Sequence, residues 1–386
     1  MSIRLVTSEE EFAALAESWR ELQGASPNHT PFQSWEWNYS WWRHFGRPGR
    51  LRLFIVERDG RLIGVAPLFL ATRYLGWPLH HLAFIARKRA DYLDFVVRAG
   101  HEREFFEELC PRLLAGSREW RCIDVRDFPE SSTNLPHFLR AASASFPLIS
   151  VQPAESCVAV SLEATWESFV ATLGKNARRN VGRYRRHLEA DFPIELRIPA
   201  TPDERERCFN DFVRLYRSLR ESEDGAPVYG SAPALAFEQD ICRRGAEAGW
   251  FRLYLLYAGG QPVSGCLGYV WNRKFYAGLM ARAPEFEKYS IGMTLSGMAI
   301  QDCIANHWTE IDFMRGDESF KYQWGGVRKH NYHVKLSNSG VVMARTYAAE
   351  WMYRCLLRLK GLKRLRALLS KRRRATPAGI GAAARA

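Results

Sequence analysis

The chain has 386 residues, of which 47% are hydrophobic and 25% charged, an ordinary globular composition with room for two domains of roughly 150–200 residues. No apolar run reaches the ~18 residues of a membrane span, the opening MSIRLVTSEEEF has no signal-peptide core, and neither Cys-x-x-Cys nor His-Glu-x-x-His occurs, so a disulfide framework and a metal enzyme are not expected and the scattered thiols indicate the cytoplasm. Most of the net charge of +13 is local: residues 345–374 hold eleven Lys/Arg against Glu350, a balance of +10 that leaves +3 for everything else.

In chain order, Ser8 and three glutamates predict a helix over 8–22. The tryptophan-rich stretch 31–45 reads as a second helix, with Trp37, Trp41 and His44 on one face. Residues 51–70, LRLFIVERDGRLIGVAPLFL, are two apolar runs around Asp59-Gly60 and predict a β-hairpin. A strand near 92–97, a helix over 101–115 and a strand over 121–125 follow. Residues 146–165 give short strands broken by proline with no flexible linker, which predicts two tightly packed domains. The stretch 166–188 reads as one long helix with Leu173, Val181, Tyr184 and Leu188 as its apolar stripe. A strand over 194–198, helices over 203–220 and 234–246, and a Gly/Pro/Ser-rich loop over 221–233 come next. Then FRLYLLYAGGQPVSGCLGYV, residues 251–270, repeats the hairpin 200 residues on, aligning Arg52/Arg252, Leu53/Leu253 and Gly60/Gly260. That repeat predicts tandem domains of one fold. Strands over 274–280, 310–313 and 332–336 and a helix over 290–306 complete the body. A basic helix and an Ala/Arg tail, predicted to be disordered, end the chain.

Three constellations could carry chemistry. The first is Tyr289-Ser290-Ile291-Gly292-Met293-Thr294, small residues opening a helix directly after long strands. It is either a plain Ser N-cap or an anion site built from free N–H groups and the helix dipole. The second runs from Asp312 through Arg315, Asp317, Lys321, Tyr322 and Trp324 to Gly326. So many charges, aromatics and glycines after a strand mark either a solvated turn or a site. The third is Lys175, Arg178, Arg179, Arg183, Arg185 and Arg186 on one helix, a solvated basic face or a surface for an anionic ligand.

KNARRNVGRYRRHLEA, the YSIGMTL helix start, DFMRGDESFKYQWGG and the paired hairpins together resemble the GNAT acyltransferase superfamily. More narrowly they resemble its bacterial cellulose- and exopolysaccharide-associated acetyltransferases, similar in fold to Fem-type aminoacyl transferases. The stretches PFQSWEWNYSWWRHFG and ADYLDF look like the same branch. The resemblance implies an α/β (α+β) protein of tandem GNAT-like domains, each a mixed, mostly antiparallel sheet flanked by helices. Residues 1–160 would be a degenerate first domain, 161–340 the acyl-CoA-binding domain, and 341–386 the basic helix and tail. It implies acetyl-CoA or another acyl-CoA as co-substrate, held by Leu279, Met280, Ser290, Ile291, Gly292, Met293 and Thr294. The family's pyrophosphate turn, Arg/Gln-x-x-Gly-x-Gly/Ala, would run from Glu287 to Gly292, with Glu287 in the Arg/Gln place. Direct attack on the thioester needs a base, for which Asp312 and then Asp317 are the candidates. Lys321, in a Phe-Lys-x-x-Trp-Gly-Gly string, would orient an anionic group, Tyr289 or Tyr322 would protonate the thiolate, and Arg315, Lys175, Arg179 and Trp324 would contact the acceptor. Three alternatives stay open: an aminoacyl transferase fed by tRNA, a non-catalytic scaffold of a polysaccharide machine, and peripheral binding to an anionic membrane through residues 349–371.

Overall fold

The computed structural model describes residues 1–28, 30–222 and 230–375. The first half contributes β1 (Ser2–Val6), α1 (Glu9–Ala14), α2 (Ala16–Gly24), α3 (Trp35–Phe45), β2 (Leu51–Arg58), β3 (Arg61–Tyr74), β4 (Trp77–Phe84), β5 (Val96–Val97), α4 (Glu102–Ala115), β6 (Cys122–Pro129), α5 (Asn134–Ser145) and β7 (Leu148–Pro153). The second contributes β8 (Cys157–Ser161), α6 (Trp166–Thr172), α7 (Lys175–Asp191), β9 (Ile194–Arg197), α8 (Pro202–Ser222), α9 (Ala232–Glu247), β10 (Phe251–Ala258), β11 (Gln261–Trp271), β12 (Lys274–Arg282), α10 (Ile291–Ala305), β13 (Glu310–Arg315), α11 (Ser319–Gln323), β14 (Val327–Lys329), β15 (Asn331–Ser337) and α12 (Gly340–Ala375). These strands form two mixed sheets of matching topology, β1-β2-β3-β4-β6-β15-β7 and β9-β10-β11-β12-β13-β8-β14, with β5 beside β3. Every pairing is antiparallel except β4–β6 and β12–β13. The α/β tandem architecture expected from the sequence is the one observed.

The repeat is real at the level of register. In the first hairpin Val56 faces Gly64 and the pairing then slips to Glu57↔Leu62; in the second Leu256 faces Ser264 and slips to Tyr257↔Pro262. Both share one β-bulge, offset by 200 residues. The turn residues Asp59, Gly60, Gly259 and Gly260 all have positive φ (51°, 74°, 58° and 80°), as a two-residue type I′ turn requires.

One strand of the second half, β15, crosses into the first sheet. β8 follows β7 along the chain but lies between β13 and β14 in the second sheet, while β15 follows β14 but lies between β6 and β7 in the first. Both are nearly continuous buried runs, as interior strands should be. An aromatic cluster also bridges the halves. Phe32 packs against Trp37, Tyr92, Tyr269 and Tyr276 at centroid distances of 4.7, 6.4, 6.2 and 6.1 Å, contacts worth roughly 0.5–1.5 kcal/mol each beyond area burial.

Local differences from the sequence prediction have visible causes. The helix over 8–22 breaks at Leu15, whose N–H turns back to the Phe12 carbonyl at 3.3 Å. The helix over 166–188 breaks at Leu173 and Gly174, both extended, with Leu173 buried below. The strand over 92–97 shrinks to Val96–Val97, since residues 90–95 reach across to the other half. Sequence reasoning missed β4, which hides behind Pro78, His80 and His81, and α5. The tail expectation for 376–386 lies outside the described residues, as does most of the loop over 221–233.

Candidate active site

β12 and β13 run side by side only at Lys274↔Glu310, Phe275↔Ile311 and Tyr276↔Asp312. Past that point they part, and β12 keeps a partner on its β11 side alone. A bulge sets Gly278 opposite the Leu267/Gly268 step. Gly278, Leu279 and Met280 are half-buried in an otherwise buried strand, so the parted strands leave a free edge with unpaired backbone groups.

A 3-10 turn, Pro284–Tyr289, carries the chain from β12 to Ser290, which adopts φ 53°, ψ 44° before α10 begins. The Ser290 side chain makes no cap; the Met293 and Thr294 N–H groups bond the Ser290 carbonyl at 2.9 and 3.2 Å, which leaves those of Ile291 and Gly292 to point onward without an intrahelical acceptor. A Cβ added at Gly292 would meet nothing within 4 Å, which leaves this end of the helix dipole open. Ile291 is buried and Met293 half-buried, while the buried Thr294 hydroxyl has no hydrogen-bond partner. The arrangement suits a phosphate or pyrophosphate.

Asp312 sits at the vertex where the strands part and is 1% exposed. One carboxylate oxygen accepts from the Tyr92 hydroxyl at 2.7 Å, and the other from the Met314 N–H at 2.8 Å. The Lys329 ammonium is 3.7 Å away and also binds Glu310 at 2.7 Å. Burial raises the Asp312 pKa to about 6, against the pull of Lys329, Tyr92 and Met314. Met314 has φ 60°, and this left-handed residue turns its N–H back onto the carboxylate. Backbone strain of this kind clusters at functional sites.

The other sequence candidates fall around this vertex unevenly. Lys321 is buried, and its ammonium donates to the carbonyls of Met314, Arg315 and Gly316 at 3.1, 2.8 and 3.3 Å, with Glu318 at 2.9 Å. All its donors are thus spent on shaping the 314–316 turn. Asp317 and Tyr322 are exposed and bonded to each other, and Arg328 binds Asp317 at 2.7 Å. The Tyr322 and Arg328 bonds hold the Asp317 carboxyl below its ordinary range. Arg315 is held by Asp91, Asp127 and Glu155 at 3.1, 3.0 and 3.2 Å, a clamp between the halves. The Tyr289 hydroxyl donates to Asp191 at 2.5 Å. Trp324 is buried beside Phe169 and Gly297. Lys175 and Arg179 are exposed on α7, which packs on α10.

Two residues were missed as side chains. Tyr276 is paired in register with Asp312, and burial raises its hydroxyl pKa. Tyr92 comes from the other half, and its ADYLDF stretch was legible only as a family likeness. Its pKa too is raised by burial and then by Asp312, so both hydroxyls are neutral donors.

Two sheets of matching topology, each with one parallel pair that parts, define a tandem α/β fold, and in the second sheet the parting precedes a helix N-terminus. Residues 175–322 match the family model of the acetyltransferase (GNAT) domain, and the chain as a whole has a Fem-like fold. It is similar to the crystal structure of FemX, with 13% identity, a TM-score of 0.58, and coverage of 90% of this chain and 100% of that one. The C-terminal domain of a protein assigned as lysylphosphatidylglycerol synthetase from Agrobacterium fabrum is also similar, at 10% identity and TM-score 0.55, over 89% and 96% of the two chains. So is L-PGS from Bacillus licheniformis, at 12% identity and TM-score 0.53, over 88% and 96%. No curated protein matches the sequence.

Proposed function

We propose that the chain transfers an acyl group, acetyl in the simplest case, from an acyl-CoA to an amine or hydroxyl acceptor where β12 and β13 part. The observation that carries this is Asp312, a buried carboxyl with a pKa of about 6 at the vertex of a free strand edge. At pH 7 it is mostly ionised yet basic enough to take a proton from the attacking nucleophile. Ser290, Ile291, Gly292, Met293 and Thr294 would hold the donor's pyrophosphate, and the edge at Leu279 and Met280 its thioester arm. The backbone N–H groups of that edge would steady the thioester oxygen. Tyr276, paired in register with Asp312, would protonate the departing thiolate, since Tyr92, Tyr289 and Tyr322 are committed to Asp312, Asp191 and Asp317.

The test is release of free thiol from acetyl-CoA with a panel of primary amines and sugar alcohols. Asp312→Asn should lose roughly 10²–10⁴ in turnover with donor binding unchanged. Full turnover in a folded Asp312→Asn protein would remove Asp312 from this role. The panel also decides between N- and O-transfer and whether an envelope or exopolysaccharide sugar is the acceptor.

A second reading, transfer from charged tRNA, is supported by α7. Its six cations are all exposed, and among the described residues Arg185 alone has a carboxylate partner, Glu189 at 2.8 Å. Strongly salt-dependent tRNA binding without acetyl-CoA binding would favour it. Peripheral attachment to the inner face of a membrane belongs to the same proposal. α12 exposes Trp351, Leu356, Leu357 and Leu359 beside Arg354 and Arg358, and among the described residues no helix is long and apolar enough to cross a bilayer. Sedimentation with anionic vesicles, with and without residues 363–386, tests it.

A further inference from the structure

The first sheet repeats the parting of strands found at Asp312. β4 and β6 pair in parallel at His81↔Cys122 and Leu82↔Ile123 and then separate. Asp124 follows Ile123 as Asp312 follows Ile311, and it is equally buried. Its surroundings are of opposite character. Arg126 lies 3.1 Å from Asp124, His333 bonds it directly, and His81 is 3.9 Å away. Burial works to raise the Asp124 pKa, but His333 and Arg126 hold it well below the ordinary range. Behind it, Lys335 binds Glu350 of α12 at 3.0 Å, and Tyr74 donates to the same carboxylate.

Past the vertex the loop after β4 adds two more cations. Arg87 donates to His81 at 3.0 Å and stacks over Phe69 at 5.5 Å, and Lys88 is exposed beside it. Neither forms an ion pair among the described residues. Ala86 and Lys88 both have φ 68°, a conformation that residues with side chains adopt only under constraint. Burial, and then the charges of Arg87 and Arg126, lower the Lys88 pKa; burial and Arg126 do the same to Arg87 against the pull of Asp124. His81 is neutral, its pKa lowered to about 4 by burial. Four cations, Arg87, Lys88, Arg126 and Lys335, therefore face two carboxylates, Asp124 and Glu350. Such a half-buried excess of positive charge is relieved by an anion, and guanidinium groups match phosphate oxygens in pairs.

We infer that the point where β4 and β6 part is a phosphate site, in which Arg87, Lys88 and Arg126 hold a phosphate group of the acceptor. Only the word acceptor rests on the transferase proposal; the anion site does not. The link between the two strand partings is short. Lys88 is four residues from Tyr92, at most about 14 Å of chain, and Tyr92 donates to Asp312. An acceptor carrying its phosphate within that reach of its nucleophile would engage both sites. A lipid head group and a soluble sugar or nucleotide phosphate share this chemistry.

The test is calorimetric titration of the full chain with inorganic pyrophosphate in a Gly292→Glu background, which closes the α10 end to phosphate. The expected result is retained binding that Arg87→Gln with Lys88→Asn weakens roughly ten- to hundredfold. Asn tolerates the left-handed φ at position 88, and a thermal melt checks folding. If the double variant fails to fold, Lys88→Asn alone must still weaken binding severalfold. No binding in the Gly292→Glu background, or binding indifferent to these substitutions, overturns the site. Phosphatidylglycerol vesicles, compared with phosphatidylcholine, name the source. Vesicle binding lost in the double variant assigns the phosphate to a lipid, and pyrophosphate binding without it to a soluble substrate.

Discussion

Removing the Tyr92 hydroxyl should move the pH dependence of the reaction without unfolding the protein. Tyr92→Phe keeps the ring that packs on Phe32 and Tyr276 at 6.4 and 6.2 Å and deletes only the donor 2.7 Å from Asp312. That bond favours the ionised carboxylate, so its loss raises the Asp312 pKa. A hydrogen bond to a charged group is worth about 1.5–3 kcal/mol, which at about 1.36 kcal/mol per unit is roughly one to two pH units. From about 6 the pKa would rise to roughly 7–8, and the ionised fraction at pH 7 would fall about two- to tenfold. Lys329 and the Met314 N–H still hold the carboxylate. The assay is kcat/KM between pH 5 and 9.5, whose acid limb reports the free enzyme's base. The limb should shift upward and the rate should recover near pH 9. An unshifted limb, or a loss equal at every pH, would refute the coupling.

Asp312 also imposes a stability signature. Its folded pKa of about 6 lies above the ordinary 3.8, so the stability it contributes is full below about pH 4 and is lost as pH rises through 6. Asp312→Asn removes this dependence and should be more stable than the parent at pH 7.5 by up to roughly 3 kcal/mol, but not at pH 4, in urea melts at both values. Lys321→Met should lose about 3 kcal/mol or more, because three carbonyls and Glu318 lose their donor; a stable but inactive Lys321→Met protein would instead give Lys321 a part in the chemistry. Gly268→Ala would press a Cβ into the Tyr276 carbonyl and the Phe275 ring. It should cost about 1–3 kcal/mol and lower activity, because Tyr276 stands opposite Asp312; a neutral result in melt and assay would contradict that packing.

The hairpins could be found in sequence because their signal is local: a turn needing positive φ between apolar runs, written twice at the same spacing. The small residues after β12 and the acid ending the 310–313 strand were visible for the same reason. The placing of β8 and β15 was not, since CVAVS and NYHVKLS read as buried strands whichever sheet receives them. Tyr92 lies 220 residues from Asp312, and nothing in its neighbourhood announces that partner. Lys321 and Arg315 show the converse limit. Their charges were plain, but only packing reveals that one ammonium faces three carbonyls and that the guanidinium binds Asp91, Asp127 and Glu155. The clustering of Arg87, Lys88 and Arg126 likewise depends on β4, which its proline and histidines concealed.

The donor site is tested most directly by calorimetric titration of the purified protein with acetyl-CoA, in wild type and Gly292→Glu. The open space at Gly292 means the substitution adds charge and bulk at the helix end without disturbing the fold. The prediction is binding by the wild type that Gly292→Glu abolishes while its melting temperature is unchanged. Equal binding by both proteins, or none by the wild type, would contradict an acyl-CoA site at the start of α10.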